Sequence, residues 1–153
     1  MSVGDEIQWR LTAFDALTVH ALYTLLQLRA QVFVLEQACA FQDLDGSDPL
    51  ALHLQGYADH QLVAYARCFG PGVKYPEASI GRIVTRDTVR GGGLGRLLVK
   101  RAMASVSERW GVGAIRIGAQ ARLKNFYQGH GFVDVELPYI EDGIAHLEMV
   151  WRP

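Results

Sequence analysis

The feature that most constrains this chain is a glycine-rich turn, with four glycines in the five positions Gly91-Gly92-Gly93-Leu94-Gly95. Residues 79–85 before the turn have the composition of a β-strand, and residues 94–109 after it repeat apolar side chains at the spacing of an amphipathic helix. The first backbone N–H groups of a helix lack intrahelical partners, and glycine lets the backbone approach a ligand closely. A strand, a glycine-rich turn and a helix in this order therefore predict an anion-binding site. A flexible connecting loop, the alternative, rarely needs glycine at so many consecutive positions.

The turn does not match two common phosphate-binding loops. The pattern G-x-x-x-x-G-K-[ST] is absent, and Gly91-x-Gly93 is followed by Arg96 where the dinucleotide fingerprint has a third glycine. A nucleotide or other anion site on an unrelated fold stays an alternative that rests on the glycine-rich turn alone.

Periodicity along the rest of the chain predicts an α/β domain. The predicted strands are 7–14, 53–58, 62–69, 79–85, 114–118, 133–137 and 145–151, and the predicted helices run from a cap at Asp15 or Thr18 to about Val34, over 94–109 and over about 123–128. No internal repeat or long linker divides the chain. The order β-α-β-β-β-α-β-α-β-β therefore predicts one α/β domain with a mixed sheet over residues 1–153.

Charge and cysteine content exclude several classes of protein. The chain has 15 Lys and Arg against 16 Asp and Glu, a net charge of −1, and so lacks the basic footprint of a nucleic-acid-binding protein. Cys39 and Cys68 cannot build a disulfide framework, and no CxxC or CxxH pair indicates a zinc site. Residues 1–6 are acidic without the apolar stretch of a leader, and no apolar run approaches the roughly 20 residues of a membrane span. We therefore expect a cytoplasmic protein that engages no nucleic acid, no membrane and no metal.

The near-zero net charge conceals a separation along the chain. From Arg82 to Arg101 there are six basic residues and a single acidic one, whereas from Ala30 to Ala66 there are five acidic residues and no Lys or Arg. One interpretation is a polyanionic cofactor bound beside a cationic partner; the other is ordinary solvated surface charge. Asp43-x-Asp45 in the acidic stretch is not a calcium loop, because the remaining ligand positions do not follow.

Two motifs carry a resemblance to a known family. Arg90-x-x-Gly93-x-Gly95 matches the [RQ]-x-x-G-x-[GA] acyl-CoA loop of the GNAT N-acetyltransferase superfamily, and Tyr127-x-x-x-Gly131-Phe132 matches that family's Y-x-x-x-G-F ending. From about Tyr23 onward the chain also resembles the ElaA-like subgroup, through segments such as Leu28-Arg29-x-x-Val32-Phe33-Val34-x-Glu36-Gln37 and Glu141-Asp142-Gly143-Ile144-x-His146.

The resemblance implies a GNAT-like mixed β-sheet flanked by helices, with splayed central strands that form an acyl-CoA cleft for acetyl-CoA. The amides of the glycine-rich turn would hold the pyrophosphate, and the preceding strand would pair with the pantetheine. Many members have Asn where this chain has Gln120, and Asn125 is a second polar candidate nearby. The cofactor-binding residues that the resemblance implies are Ile83, Val84, Thr85, Arg90, Gly91, Gly92, Gly93, Leu94, Gly95, Arg96, Gln120 and Asn125.

The resemblance also implies a reaction, direct transfer of the acetyl group to a primary amine of a small molecule or peptide. It assigns the general acid that protonates the departing sulfur to Tyr127, which would otherwise be as well explained as a core aromatic. The candidates for the base and for contacts to a cationic acceptor are Glu36, Asp43, Asp45 and His53, with His146 a further candidate for the base. A CoA-binding sensor or partner-binding module without catalysis is the alternative function. The oligomeric state stays open, with a homodimer among the alternatives.

Overall fold

The observed elements follow the predicted order of strands and helices. The computed structural model describes residues 6–153, so residues 1–5, on which the expectation of a missing leader depends, lie outside the described residues. The strands are β1 Gln8–Ala13, β2 Leu52–Ala58, β3 Gln61–Phe69, β4 Ala78–Thr85, β5 Ile115–Gln120, β6 Val133–Glu141 and β7 Ile144–Trp151. The α-helices are α1 Val19–Arg29, α2 Leu94–Trp110 and α3 Lys124–Gln128, and short 3₁₀ turns span Phe14–Ala16, Asp48–Leu50, Asp87–Val89 and Ala121–Leu123.

The seven strands form one sheet in the order β1-β2-β3-β4-β5-β7-β6. Every neighbouring pair is antiparallel except β4 and β5, which run parallel and pair at two positions, Ala78 with Ile115 and Ser79 with Arg116. Beyond these two positions the central strands diverge and leave a cleft between them. The mixed sheet with splayed central strands confirms the predicted fold class.

Helices α1 and α2 pack on opposite faces of the sheet. Successive side chains of a strand point to opposite faces, so Ala64 and Ala66 of β3 face one way and Tyr65 faces the other. The two alanines belong to the core that α2 completes with Leu98 and other apolar side chains, whereas Tyr65 packs with Leu25 and its neighbours from α1. Within residues 6–153, no helix combines the length and apolar character that crossing a membrane requires.

The first predicted helix changes its winding halfway along. It begins as predicted at Thr18, whose hydroxyl accepts a hydrogen bond from the backbone N–H of Ala21 at 3.0 Å. Its second half, Ala30–Glu36, is a π-helix, and the N–H of its C-cap Gln37 donates to the carbonyl of Val32, five residues earlier, at 3.2 Å. A helix is therefore present to Val34 as predicted, but its second half is wound more widely than the three- and four-residue spacing of an α-helix. Short π-helical stretches often mark functional sites, and the end of this one borders the cleft.

Strand β6 extends beyond its predicted end at Leu137. A proline usually ends a strand, but β6 is the edge of the sheet, where the missing N–H of Pro138 costs no ladder bond. A bulge precedes the proline, where Glu136 has a positive φ of 62° and its N–H donates to the Asp134 carboxylate at 2.8 Å. Because the strand continues to Glu141, its last residues reach the cleft.

Candidate active site

The cleft between β4 and β5 has a volume of about 820 Å³. Strand β4 forms one wall, β5 with the turn after it and Tyr127 of α3 forms the opposite wall, and the end of the π-helix lies across both. The predicted site residues that line it are Glu36, Asp45, Ile83, Val84, Thr85, Arg90, Gln120 and Tyr127, together with the base candidate His146. The structure thus gathers residues from Glu36 to His146 around one cavity.

The glycine-rich turn continues from Arg90 at the end of this wall. Gly91 and Gly93 have φ values of 92° and 83°, a left-handed conformation that favours glycine. Gly93 is the N-cap of α2, and no side chain caps the helix there. The first backbone N–H groups of α2 therefore lack intrahelical partners at the place where the sequence predicts an anion.

Tyr127 lies on α3 with its ring buried between two phenylalanines. Its ring centroid is 5.1 Å from that of Phe126 and 6.1 Å from that of Phe132, and its residue surface is 7% exposed. The Tyr-x-x-x-Gly-Phe motif has a structural basis, because the N–H of Phe132 donates back to the Tyr127 carbonyl at 3.2 Å and Gly131 turns the chain with a φ of 93°. Burial raises the pKa of Tyr127 to about 12, which keeps its hydroxyl protonated at neutral pH.

Asp43 and Asp45 are held by arginines. The Asp43 carboxylate accepts from Arg29 Nε at 2.9 Å and from Arg82 Nε at 2.7 Å, and Asp43 is buried. Asp45 lines the cleft, but its two oxygens accept from Arg67 at 2.8 and 2.9 Å. Burial alone would raise the pKa of Asp45, but the hydrogen bonds from Arg67 and from the Ser47 N–H outweigh it and hold the pKa well below its usual range.

Asp43 and Asp45 therefore form ion pairs within the protein, and a contact from either to a cationic acceptor stays a prediction. Their partner Arg82 comes from the basic stretch, so the two stretches neutralise each other in part. Sequence reasoning missed Arg29 and Arg67, which are almost fully buried among these carboxylates and Asp48. A buried arginine needs an anionic partner, but the sequence does not say which aspartate supplies it.

His53 lies inside the sheet and does not reach the cleft. It is fully buried in β2, with Nε2 2.9 Å from the Asp48 carbonyl and Nδ1 2.6 Å from the Tyr65 hydroxyl. Since a carbonyl can only accept, Nε2 carries the hydrogen and Nδ1 accepts from the tyrosine. Burial lowers the pKa of His53 and favours the neutral ring. The structure does not place His53 where an acceptor amine could contact it. Asn125 also stands away from the cleft wall, on the exposed side of α3.

The end of the π-helix contacts both walls of the cleft. Glu36 forms an ion pair with Arg90, whose guanidinium also donates to the Thr85 carbonyl at 2.8 Å. The next residue, Gln37, accepts from Gln120 Nε2 of β5 at 3.2 Å. Glu36 and Gln120 are thus both at the cleft, but each already has a polar partner there.

At the far end of the cleft, His146, a sequence candidate for the base, lies beside Tyr139 and Glu141, which the sequence analysis did not select. Tyr139 of β6 stacks on His146 of β7 with ring centroids 5.2 Å apart, and its hydroxyl occupies the space that a side chain at position 118 would fill. Burial raises the pKa of Tyr139 to about 12. Gly118 within a strand is the one sequence signal that could have indicated this close approach.

Comparisons with known proteins agree with this geometry. The profile of the Acetyltransferase (GNAT) domain family matches residues 28–153. Protein ElaA of Escherichia coli strain K12 is 39% identical over 145 residues, which are 94% of this chain and 95% of that protein. A crystal structure of an acyl-CoA N-acyltransferase from Pseudomonas aeruginosa superposes with a TM-score of 0.90 at 39% identity, covering 95% of this chain and 99% of that one. The crystal structure of Escherichia coli ElaA gives a TM-score of 0.88 at 38% identity with the same coverage.

Proposed function

The chain belongs to the GNAT acetyltransferase family, and from this premise we propose that it transfers the acetyl group of acetyl-CoA directly to a primary amine of a small molecule or peptide. The observation that carries the proposal is the separation of β4 from β5 beyond Ser79 and Arg116. This separation leaves one edge of β4 without a strand partner, and the buried phenol ring of Tyr127 lines the same cleft.

The residues along the cleft suit the parts of acetyl-CoA. The open edge of β4 at Ile83, Val84 and Thr85 offers backbone groups to the amides of the pantetheine, as an added strand would. The uncapped start of α2, with Gly91–Arg96, offers N–H groups and partial positive charge to the pyrophosphate. Arg90 stands between these two regions. Gln120 can reach the pantetheine from the opposite wall.

Acetyl-CoA supplies the acetyl group as a thioester, and this chain must supply a proton when sulfur departs. We assign that proton to the Tyr127 hydroxyl. Its pKa of about 12 keeps the proton in place until negative charge develops nearby. Burial among Phe126 and Phe132 excludes water from one side of the ring and fixes its position.

The test is a Tyr127→Phe variant assayed for thiol release from acetyl-CoA across a panel of primary amines. We expect kcat to fall about 100-fold, within the usual range for general acid catalysis, with no more than about a twofold change in CoA affinity. Tyr23→Phe on α1 is the matched control, because Tyr23 is exposed and does not line the cleft. Turnover that is equal in Tyr127→Phe and wild type would remove Tyr127 from this role.

The same measurements separate the alternatives. Tight CoA binding with no amine that consumes acetyl-CoA would favour a non-catalytic sensor. Displacement of CoA by ATP or NAD at similar concentrations would favour a general anion site, since the proposal requires CoA to bind much more tightly than ATP or NAD.

A further inference from the structure

We propose that His146 is the general base that removes a proton from the acceptor ammonium. This assignment rests on the proposed function, because it concerns the amine that receives the acetyl group. An alkyl ammonium has a pKa of about 10.4, so at neutral pH nearly every acceptor molecule must lose a proton before its nitrogen can attack. The residue that accepts it must reach the cleft and must carry a free lone pair.

The other candidates that the sequence left open are already engaged in contacts within the protein. Asp43 and Asp45 are fixed in hydrogen bonds to buried or half-buried arginines. Glu36 is paired with Arg90. His53 is buried in the sheet with both ring nitrogens bonded. Among the five candidates, His146 alone combines a place in the cleft wall with a ring nitrogen that makes no hydrogen bond within residues 6–153.

The backbone decides which nitrogen of His146 is free. Nδ1 lies 2.8 Å from the carbonyl oxygen of Ile144, and a carbonyl can only accept, so Nδ1 carries the hydrogen. Nε2 of the neutral ring therefore holds the lone pair. The His146 side chain is 11% exposed and lines the cleft, and the rest of the ring is covered by surrounding residues.

Neighbouring side chains orient the ring of His146. His146 pairs with Gln120 of β5 on one side and with Tyr139 of β6 on the other, so the three side chains form a row on one face of the sheet. The Tyr139 ring stacks on the imidazole and restricts its rotation. The Glu141 carboxylate lies 3.8 Å from Nε2, on the side of the ring where the proton would be accepted.

The proposed step is a proton transfer that balances without a further reactant. An N–H bond of the acceptor ammonium breaks, its electron pair stays on nitrogen, and the proton bonds to Nε2 of His146. The imidazolium then returns this proton to solvent. Over the whole reaction the nitrogen loses two protons. The first passes through His146 to solvent, and the second replaces, on the Tyr127 oxygen, the proton that Tyr127 gave to the departing sulfur.

The experiment compares His146→Gln with wild type for thiol release from acetyl-CoA, using butylamine, ethanolamine and a lysine-containing peptide as acceptors. We expect kcat at about pH 7 to fall about 100-fold with CoA affinity unchanged. The ratio of wild-type to variant rates should then shrink at least about tenfold on going to about pH 10, because the amine becomes neutral without help. His20→Gln on α1 is the matched control, since His20 is exposed and lies outside the cleft.

Two further variants keep the result decisive. Should His146→Gln fold poorly, His146→Ala with added imidazole replaces it, and we expect imidazole to restore part of the lost rate. Glu141→Gln should reduce kcat only a few-fold, since Glu141 is a largely exposed neighbour of the ring and does not take the proton itself.

Three outcomes would overturn the assignment. They are a His146→Gln variant that turns over as fast as wild type, a rate deficit that stays constant from about pH 7 to about pH 10, and a Glu141→Gln variant that is more damaged than His146→Gln. A wild-type protein that releases no thiol with any amine would instead overturn the proposed function, and the assignment with it.

Discussion

The buried arginine at the junction of α1 and the π-helix offers the sharpest test of how this fold is stabilised. Arg29 is fully buried and donates three hydrogen bonds, from Nε to Asp43 at 2.9 Å, from Nη1 to Asp48 at 2.6 Å and from Nη2 to the Asp43 carbonyl at 3.2 Å. We predict that Arg29→Met destabilises the protein strongly, because methionine fills much of the volume but leaves two buried carboxylates short of a partner.

The magnitude follows from what each carboxylate retains. Removing one partner of a buried ion pair typically costs about 3–5 kcal/mol. Asp43 keeps its contact with Arg82 at 2.7 Å, and Asp48 keeps Arg67 at 3.1 Å, so neither is left as an isolated charge. We therefore expect the lower end of the range, about 3 kcal/mol. For a chain of this size that corresponds to a fall in Tm of roughly 6–12 °C.

The assay is urea unfolding followed by tryptophan fluorescence, with CoA binding measured on the folded protein. Arg10→Met is the matched control, because the Arg10 guanidinium is exposed and its main contact is the Tyr57 ring at 5.3 Å, worth no more than about 1 kcal/mol. A loss in Arg29→Met no larger than that in Arg10→Met, with an unchanged dependence on urea, would refute the reasoning.

Two further predictions concern the cleft and the response to acid. Gly118→Ala should displace the Tyr139 hydroxyl, and with it the tyrosine ring that stacks on His146, so we expect turnover to fall. Adding Tyr139→Phe to this variant should restore part of the turnover. Equal turnover in Gly118→Ala and wild type would contradict this prediction. Asp45 and Asp48 have lowered pKa values in the folded protein, so the stability that they contribute is present above about pH 4 and is lost as the pH falls further. Urea unfolding at a series of pH values should show this loss, and Asp48→Asn should flatten it; a variant as acid-sensitive as wild type would contradict it.

Local patterns were sufficient to predict the elements and the order in which they occur. The cap at Thr18, the hairpin of β2 and β3 and the helix after the glycine-rich turn all depend on residues close together in sequence. The π-helix could not be predicted in this way, because its winding differs from an α-helix by one hydrogen-bond step and its apolar residues fit either. The length of β6 depends on its place at the sheet edge, which is a property of the whole topology.

The candidate site was predicted unevenly for the same reason. The motifs identified Tyr127 and the loop with Arg90, because each motif is local. The partners of the acidic residues are distant in sequence, since Asp43 meets Arg82 across 39 positions and Glu36 meets Arg90 across 54. Charge counts along the chain therefore suggested a free acidic surface where the fold makes internal ion pairs.

The position of the open edge of β4 within the sheet protects the protein from aggregation. A strand edge with unpaired N–H and C=O groups is a template for aggregation, and most proteins cover or interrupt such edges. Here the edge lies in the middle of a sheet, inside a wedge that closes at Ser79 and Arg116, so a flat strand from another molecule cannot align along it. The bulge at Arg82, where φ is 50°, further shortens the straight portion. The cleft thus admits a narrow extended molecule and excludes a neighbouring chain. The fold can therefore keep an unpaired strand edge without the aggregation that such an edge usually promotes.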